Sequence, residues 1–174
     1  MKIESTSFTA EDYDAIVEGY FERERAELIA RLRAIPDRVD ALVPALGSPE
    51  TSEDPAWNAA ETLAHMAIGC QFFGWVIHEV SQGKEIGEQM LQFMNLRDPS
   101  MVDALQQPPD VLAKQLRDGV ERVSAFLETV PYEDLRNAIA FANKQLSGED
   151  FTRISLVHHL EDHLEQMRRA LEAS

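Results

Sequence analysis

Apolar residues recur every three or four positions along four long stretches of this chain, and that spacing constrains its fold more than any other feature. In the first stretch they stand at Tyr13, Ile16, Val17, Tyr20, Phe21, Leu28, Leu32, Ile35, Val39, Leu42, Val43 and Leu46, which keeps one stripe of an α-helix against a core. Thr9, three residues before Asp12, is placed to cap the start. Pro36 lacks a backbone donor and is expected to kink this helix or to break it near Ala34 into two abutting pieces. The mixed-sign run Glu22, Arg23, Glu24, Arg25 and Glu27 reads as a solvated face. A second helix, long and mostly buried, starts at Trp57 and Asn58. Asn58 and Glu61 have capping-box spacing there, the apolar residues run to Val80, and Gly83 is available as a left-handed terminator. The third follows Asp110 through Leu112, Leu116, Val120, Val123, Leu127 and Val130 and stops at Pro131. The fourth runs from Asp150 to the end with Leu156, Leu160, Leu164, Met167 and Leu171 on one side.

The connections are less regular. Residues 84–107 combine Met90, Leu91, Phe93, Met94 and Leu96 with Asp98 and Pro99, and Pro108 and Pro109 follow directly. That mixture predicts a short extra helix and a connection covering a pocket or a dimer surface. Tyr132 to Gly148 reads as a short helical piece at best, and nothing reads as a strand pair. The expected fold is therefore all-α: a four-helix bundle forming one domain over residues 1–174. The first two helices are close enough in sequence to be neighbours. About two dozen residues separate the second from the third, so simple up-down connectivity is not required.

Charge and cysteine content narrow the function. With 31 acidic and 16 basic residues the net charge is −15, which repels a phosphate backbone and argues against a nucleic-acid partner. No window approaches the roughly 18 uninterrupted apolar residues of a bilayer span, and Met1 to Ala10 lacks the basic start and apolar run of a signal peptide. A soluble, cytoplasmic protein with no membrane partner is expected. The single cysteine, Cys70, excludes an internal disulfide and a multi-cysteine zinc site, leaving histidines and carboxylates as metal ligands.

Five histidines carry the chemical signal: His65, His78, His158, His159 and His163. At about 100° per residue, Gly69, Phe72 and Val76 fall within roughly 40° of His65, so His65 points inward from the second helix, whereas His78 lies about 140° away. His159 and His163 are four apart on the fourth helix and project from one side, with Gln166 continuing it. That side borders the apolar stripe, where an inward His65 could join the pair. Three neutral imidazoles hold a divalent cation and leave a position for water or substrate. The alternative is that His65 is a core residue hydrogen-bonded to a carbonyl or carboxylate. His158 projects about 100° from His159 and is left out of the site. Gln166 is either a residue orienting a ligand or a solvated glutamine. Glu61 is first a capping residue, Trp57 packs over the helix start, and Cys70 is a small core residue rather than a nucleophile.

Trp57-Asn58-Ala59-Ala60-Glu61-Thr62-Leu63-Ala64-His65-Met66 resembles the Trp-x-x-x-Glu-x-Leu-x-His start of the second helix in the DinB-like superfamily of metal-binding four-helix bundles. His159-Leu160-Glu161-Asp162-His163-Leu164-Glu165-Gln166 resembles its last-helix His-x-x-x-His-x-x-Gln motif. The resemblance implies a metal triad of His65, His159 and His163, nickel or zinc as the ion, an up-down-down-up bundle and a homodimer. It further implies kinship with transferases that use low-molecular-weight thiols such as mycothiol, bacillithiol or glutathione. Two functions are therefore expected as rivals. One is a thiol-dependent metalloenzyme acting on a small-molecule substrate. The other is a non-catalytic, metal-stabilised bundle serving as a stress-related interaction protein.

Overall fold

The computed structural model of the chain describes residues 9–46, 58–87, 103–141 and 144–172. Helix α1 (Ala10–Asp40) begins on a Thr9–Asp12 capping box, and a single 3-10 turn (Val43–Ala45) follows it. Helix α2 (Ala59–Ser81) begins on the Asn58–Glu61 box, each side chain accepting from the other's backbone N–H at 2.8 Å. It ends at Gly83, whose φ is +69°. The Gly83 N–H donates to Val80 and the Lys84 N–H to Glu79, so the left-handed residue closes the last turn as only glycine does cheaply. Helix α3 (Pro109–Thr129) has proline in its first turn, where a missing N–H costs nothing. A short α4 (Tyr132–Leu135) leads to the antiparallel strands β1 (Ala138–Phe141) and β2 (Lys144–Ser147). The chain then winds without interruption through α5 (Gly148–Asp150), a π-helical stretch (Phe151–His158) and α6 (His159–Glu172). Among the described residues no helix is long and apolar enough to cross a membrane.

The described chain is mostly helical, as its periodicity requires, and its buried apolar side chains join in one core. α2 is buried nearly all round, the signature of a central helix. It packs on α3 on one side and on the π-helical stretch and α6 on the other. Glycines set the α2–α3 approach. A Cβ on Gly74 would stand 2.3 Å from Val123 Cγ2, and one on Gly119 would stand 3.2 Å from Cys70 Sγ. α1 closes the opposite corner against α3 and the final helix. Arg117 bonds Asp37 and Asp40 at one end of that seam, and Arg25 donates to the Leu127 and Val130 carbonyls at the other. Glu24–Arg153 and Arg31–Glu161 pairs tie α1 to the final helix.

Several expectations are corrected. Of the two expectations for Pro36, the division into abutting pieces is excluded and the single helix holds: α1 runs as one element to Asp40, with Pro36 buried inside it. The missing donor removes one internal bond, while Leu32, Ile35 and Val39, all fully buried, hold the same face on the core. α1 and α2 are not the expected neighbours, since each packs on α3 and on the final helix instead. The charged run on α1 is not wholly solvated. Arg25 is 8% exposed because its guanidinium satisfies carbonyls at the end of α3, just before Pro131, which has no N–H to offer. Tyr132 to Gly148 holds a strand pair after all, with Ile139 opposite Leu146 and Ile139 turned into the core. The fourth helix starts earlier than Asp150, on a Ser147–Asp150 capping box, and its first part is π-wound. Of the segment expected to carry a short extra helix, residues 88–102, with Met90 to Leu96, lie outside the described residues, and residues 103–105 are helical.

Candidate metal centre

His65 sits two turns into α2, its orientation set by the Asn58–Glu61 cap upstream and by Leu63, Ala64 and Met66, all fully buried beside it. His159 opens α6, where regular α-helical winding resumes after the π-helical stretch, and His163 follows one turn later. π-helical turns recur at functional sites, and here they end at His158, directly before the pair. The His65 and His159 Nε2 atoms are 2.9 Å apart. The ring centroids lie 5.0 Å (His65–His159), 4.6 Å (His65–His163) and 4.3 Å (His159–His163) apart, all edge-on. One ligand atom from each residue falls within a common 4.8 Å span. Two ligands on one tetrahedral zinc-sized ion stand roughly 3.3 Å apart, so the spacing suits a single cation held by all three rings.

Protonation points the same way. Burial, and then the neighbouring His163 and His159, push the His65 imidazole from 6.5 down to about 3. Burial and His163 push His159 down to about 4, against a smaller opposing pull from Asp162. Burial also lowers His163, opposed by its hydrogen bond to Gln166 and by Asp162. All three are therefore neutral at pH 7, the form whose ring nitrogen can ligate. Two facing Nε2 lone pairs at 2.9 Å repel unless a proton or a cation lies between them. His163 Nδ1 donates to Gln166 Oε1 at 2.9 Å, a bond that fixes the ring and directs the Nε2 lone pair away from Gln166.

Phe73 packs edge-on to His159 at 5.6 Å and is nearly buried, screening that ring from water on one side. A Cβ at Gly69 would stand 3.7 Å from His159 Nε2, so the glycine leaves space beside that nitrogen that a longer side chain would enter. Phe73 escaped the sequence reading, which placed Phe72 and Val76 nearest to His65. The i, i+8 spacing from His65 to Phe73 was the available signal. The remaining histidines stay apart. His78 pairs with Glu79 and packs on Phe126, and the exposed His158 leans toward Glu161. Cys70 is buried, and that burial pushes its thiol up to about 12, which suits a core residue and not a nucleophile. Trp57 lies outside the described residues.

A family model described as the DinB superfamily matches residues 20–167 of the chain. No curated protein and no solved structure is similar enough to match.

Proposed function

The chain belongs to the DinB superfamily, and on that premise we propose that it is a divalent-metal protein whose ion is held by His65, His159 and His163. The observation that carries the reading is the convergence of three neutral imidazoles from two helices on one span of 4.8 Å. One imidazole–imidazole hydrogen bond would satisfy His65 and His159 alone; the third ring, His163, edge-on to both, is what favours an ion. Gln166 holds His163 in the ligating tautomer, Phe73 keeps water from one side of His159, and Gly69 leaves room beside it. Nickel or zinc fits an all-nitrogen donor set. The up-down-down-up order implied by the resemblance belongs to this reading. Support comes from Arg25 meeting Val130 while Asp40 meets Arg117, and from His65 meeting His163 while Ser81 lies by Gly148.

Three protein ligands leave a coordination position open. When bound there, the ion would lower the pKa of a thiol or water and supply a nucleophile at neutral pH. A thiol-dependent transferase acting on a small electrophile, and working as a homodimer, is the function we propose. The second reading, a metal-clamped bundle without catalysis, is favoured by the way the triad bridges α2 and the final helix, a position where an ion would strengthen the fold by mass action.

Elemental analysis of untagged protein tests the common premise. One metal per chain, lost in His159→Ala, is the expected result. No metal in either protein, even after soaking with nickel or zinc, overturns it. Thiol transfer that stops when the ion is chelated supports the enzyme. Loss of thermal stability on chelation, with no activity toward any thiol and electrophile, supports the clamp.

A further inference from the structure

An open cleft of about 540 Å³ lies between the middle of α2 and residues 103–107, which lead into α3, with Gln115 of α3 at its side. Its apolar wall is Ile68, Phe72 and Trp75. Trp75 is 39% exposed, and its ring tilts against Phe72 at 6.1 Å. A large aromatic side chain presented to solvent in a concave site marks a ligand face more often than a solitary exposed residue does. The polar side of the cleft includes Gln107 and Gln115, bonded to each other at 2.6 Å, and Asp103. Asp103 is the one ionisable group among the described lining residues, with no lysine, arginine or histidine among them. Its carboxylate has no ion pair among the described residues.

We infer that this cleft binds small cationic aromatic molecules, with an aromatic ring laid on Trp75 and Phe72 and an ammonium group facing Asp103. An aromatic face and an unneutralised carboxylate are the two groups that attract an organic cation, through the ring quadrupole and by direct charge. An anion of the same shape would meet Asp103 with no cation among the described lining residues to offset it, inside the field of a chain of net charge −15, and is rejected by repulsion. The volume accommodates one or two rings. The cleft is separate from the metal centre: none of its lining residues belongs to the histidine triad. Phe72 and Trp75, which would hold the ring, follow His65 by seven and ten residues, roughly 10 and 15 Å along the helix axis, while Ile68 at the other end of the wall lies about one turn from it; nothing in the proposed contacts uses an ion.

Three probes of matched shape test it: 2-phenylethylamine, 2-phenylethanol and 3-phenylpropionate, titrated by calorimetry at pH 7 into the full chain, once with chelator and once with zinc. The amine is expected to bind saturably and about tenfold more tightly than the carboxylate, equally in both conditions. Asp103→Asn should remove most of that preference, and Trp75→Leu should weaken all three probes. The exposed Asp103→Asn site decides the matter if Trp75→Leu does not fold. Any of four results overturns the proposal: no saturable binding, a carboxylate bound as well as the amine, a preference that survives Asp103→Asn, or amine binding that requires the ion.

Discussion

Acidifying the metal-free protein from pH 7.5 to pH 5 should destabilise it through the histidine triad. Burial holds His65 down to about 3 and His159 down to about 4, whereas the same rings in an unfolded chain titrate near 6.5. At pH 5 the unfolded state therefore binds protons that the folded state refuses, and stability falls as pH is lowered wherever that is so. The sign follows directly: folded values depressed below the unfolded one give stability that is present above 6.5 and lost below it. A ring still neutral in the fold at pH 5 costs about 2 kcal/mol relative to pH 7.5, being 1.5 pH units at 1.36 kcal/mol each. His65, 5% exposed, contributes about that amount. His159, more open to solvent, contributes less, for a total of about 3 kcal/mol. The carboxylates held low by arginine partners, Glu24 and Glu161 among them, begin to add their own acid sensitivity only below about pH 5, so this window isolates the imidazoles. Urea unfolding followed by circular dichroism, with chelator present at both pH values, measures the loss. A stability that is flat across the window refutes the reasoning. So does an equal loss in a variant with His65 and His159 both replaced by leucine.

Gln166→Leu removes the acceptor of the His163 Nδ1–H and should weaken metal binding by about 10- to 100-fold with little change in urea midpoint, read by competition with a chromophoric chelator. Gly74→Ala drives a Cβ to 2.3 Å from Val123 Cγ2 and should cost about 1–3 kcal/mol from overpacking, despite the gain in helix propensity. Adding Val123→Ala to it should restore part of that in urea unfolding. Arg25→Met strips the donors from the Leu127 and Val130 carbonyls and should cost about 2 kcal/mol. Arg31→Ala, by contrast, breaks a half-exposed pair with Glu161 and should cost less than about 1 kcal/mol in the same assay.

The four long helices, the caps of the first two and the stops of the second and third were legible because each is a local matter. Capping boxes at Thr9–Asp12 and Asn58–Glu61, the left-handed Gly83 and the stop before Pro131 all act within one turn of backbone. The strand pair was not legible. Ala138–Phe141 and Lys144–Ser147 are four residues each, too short for periodicity to speak, and carry alanine, lysine and glutamine in place of the β-branched runs that announce strands. Their reason to pair is the burial of Ile139 against the core, a long-range contact. Arg25 was misjudged for the same cause. Nothing in its neighbours along the helix reveals that carbonyls at the far end of α3 need a donor.

The candidate metal centre divides along the same line. Local helical geometry determined that His159 and His163 share a side and that His65 faces inward, because a rise and rotation per residue are intrinsic to the backbone. Whether the two sets would meet depended on which helices pack together and on the winding ahead of His159. The π-helical turns of Phe151–His158 depart from the 3.6-residue period on which sequence reading relies, so the facing of the pair could not be counted from the start of its helix. The 2.9 Å between His65 and His159 Nε2 and the depressed affinities of the rings for protons were decided by tertiary structure alone. Proximity and desolvation arise only when helices distant in sequence exclude water from the space between them.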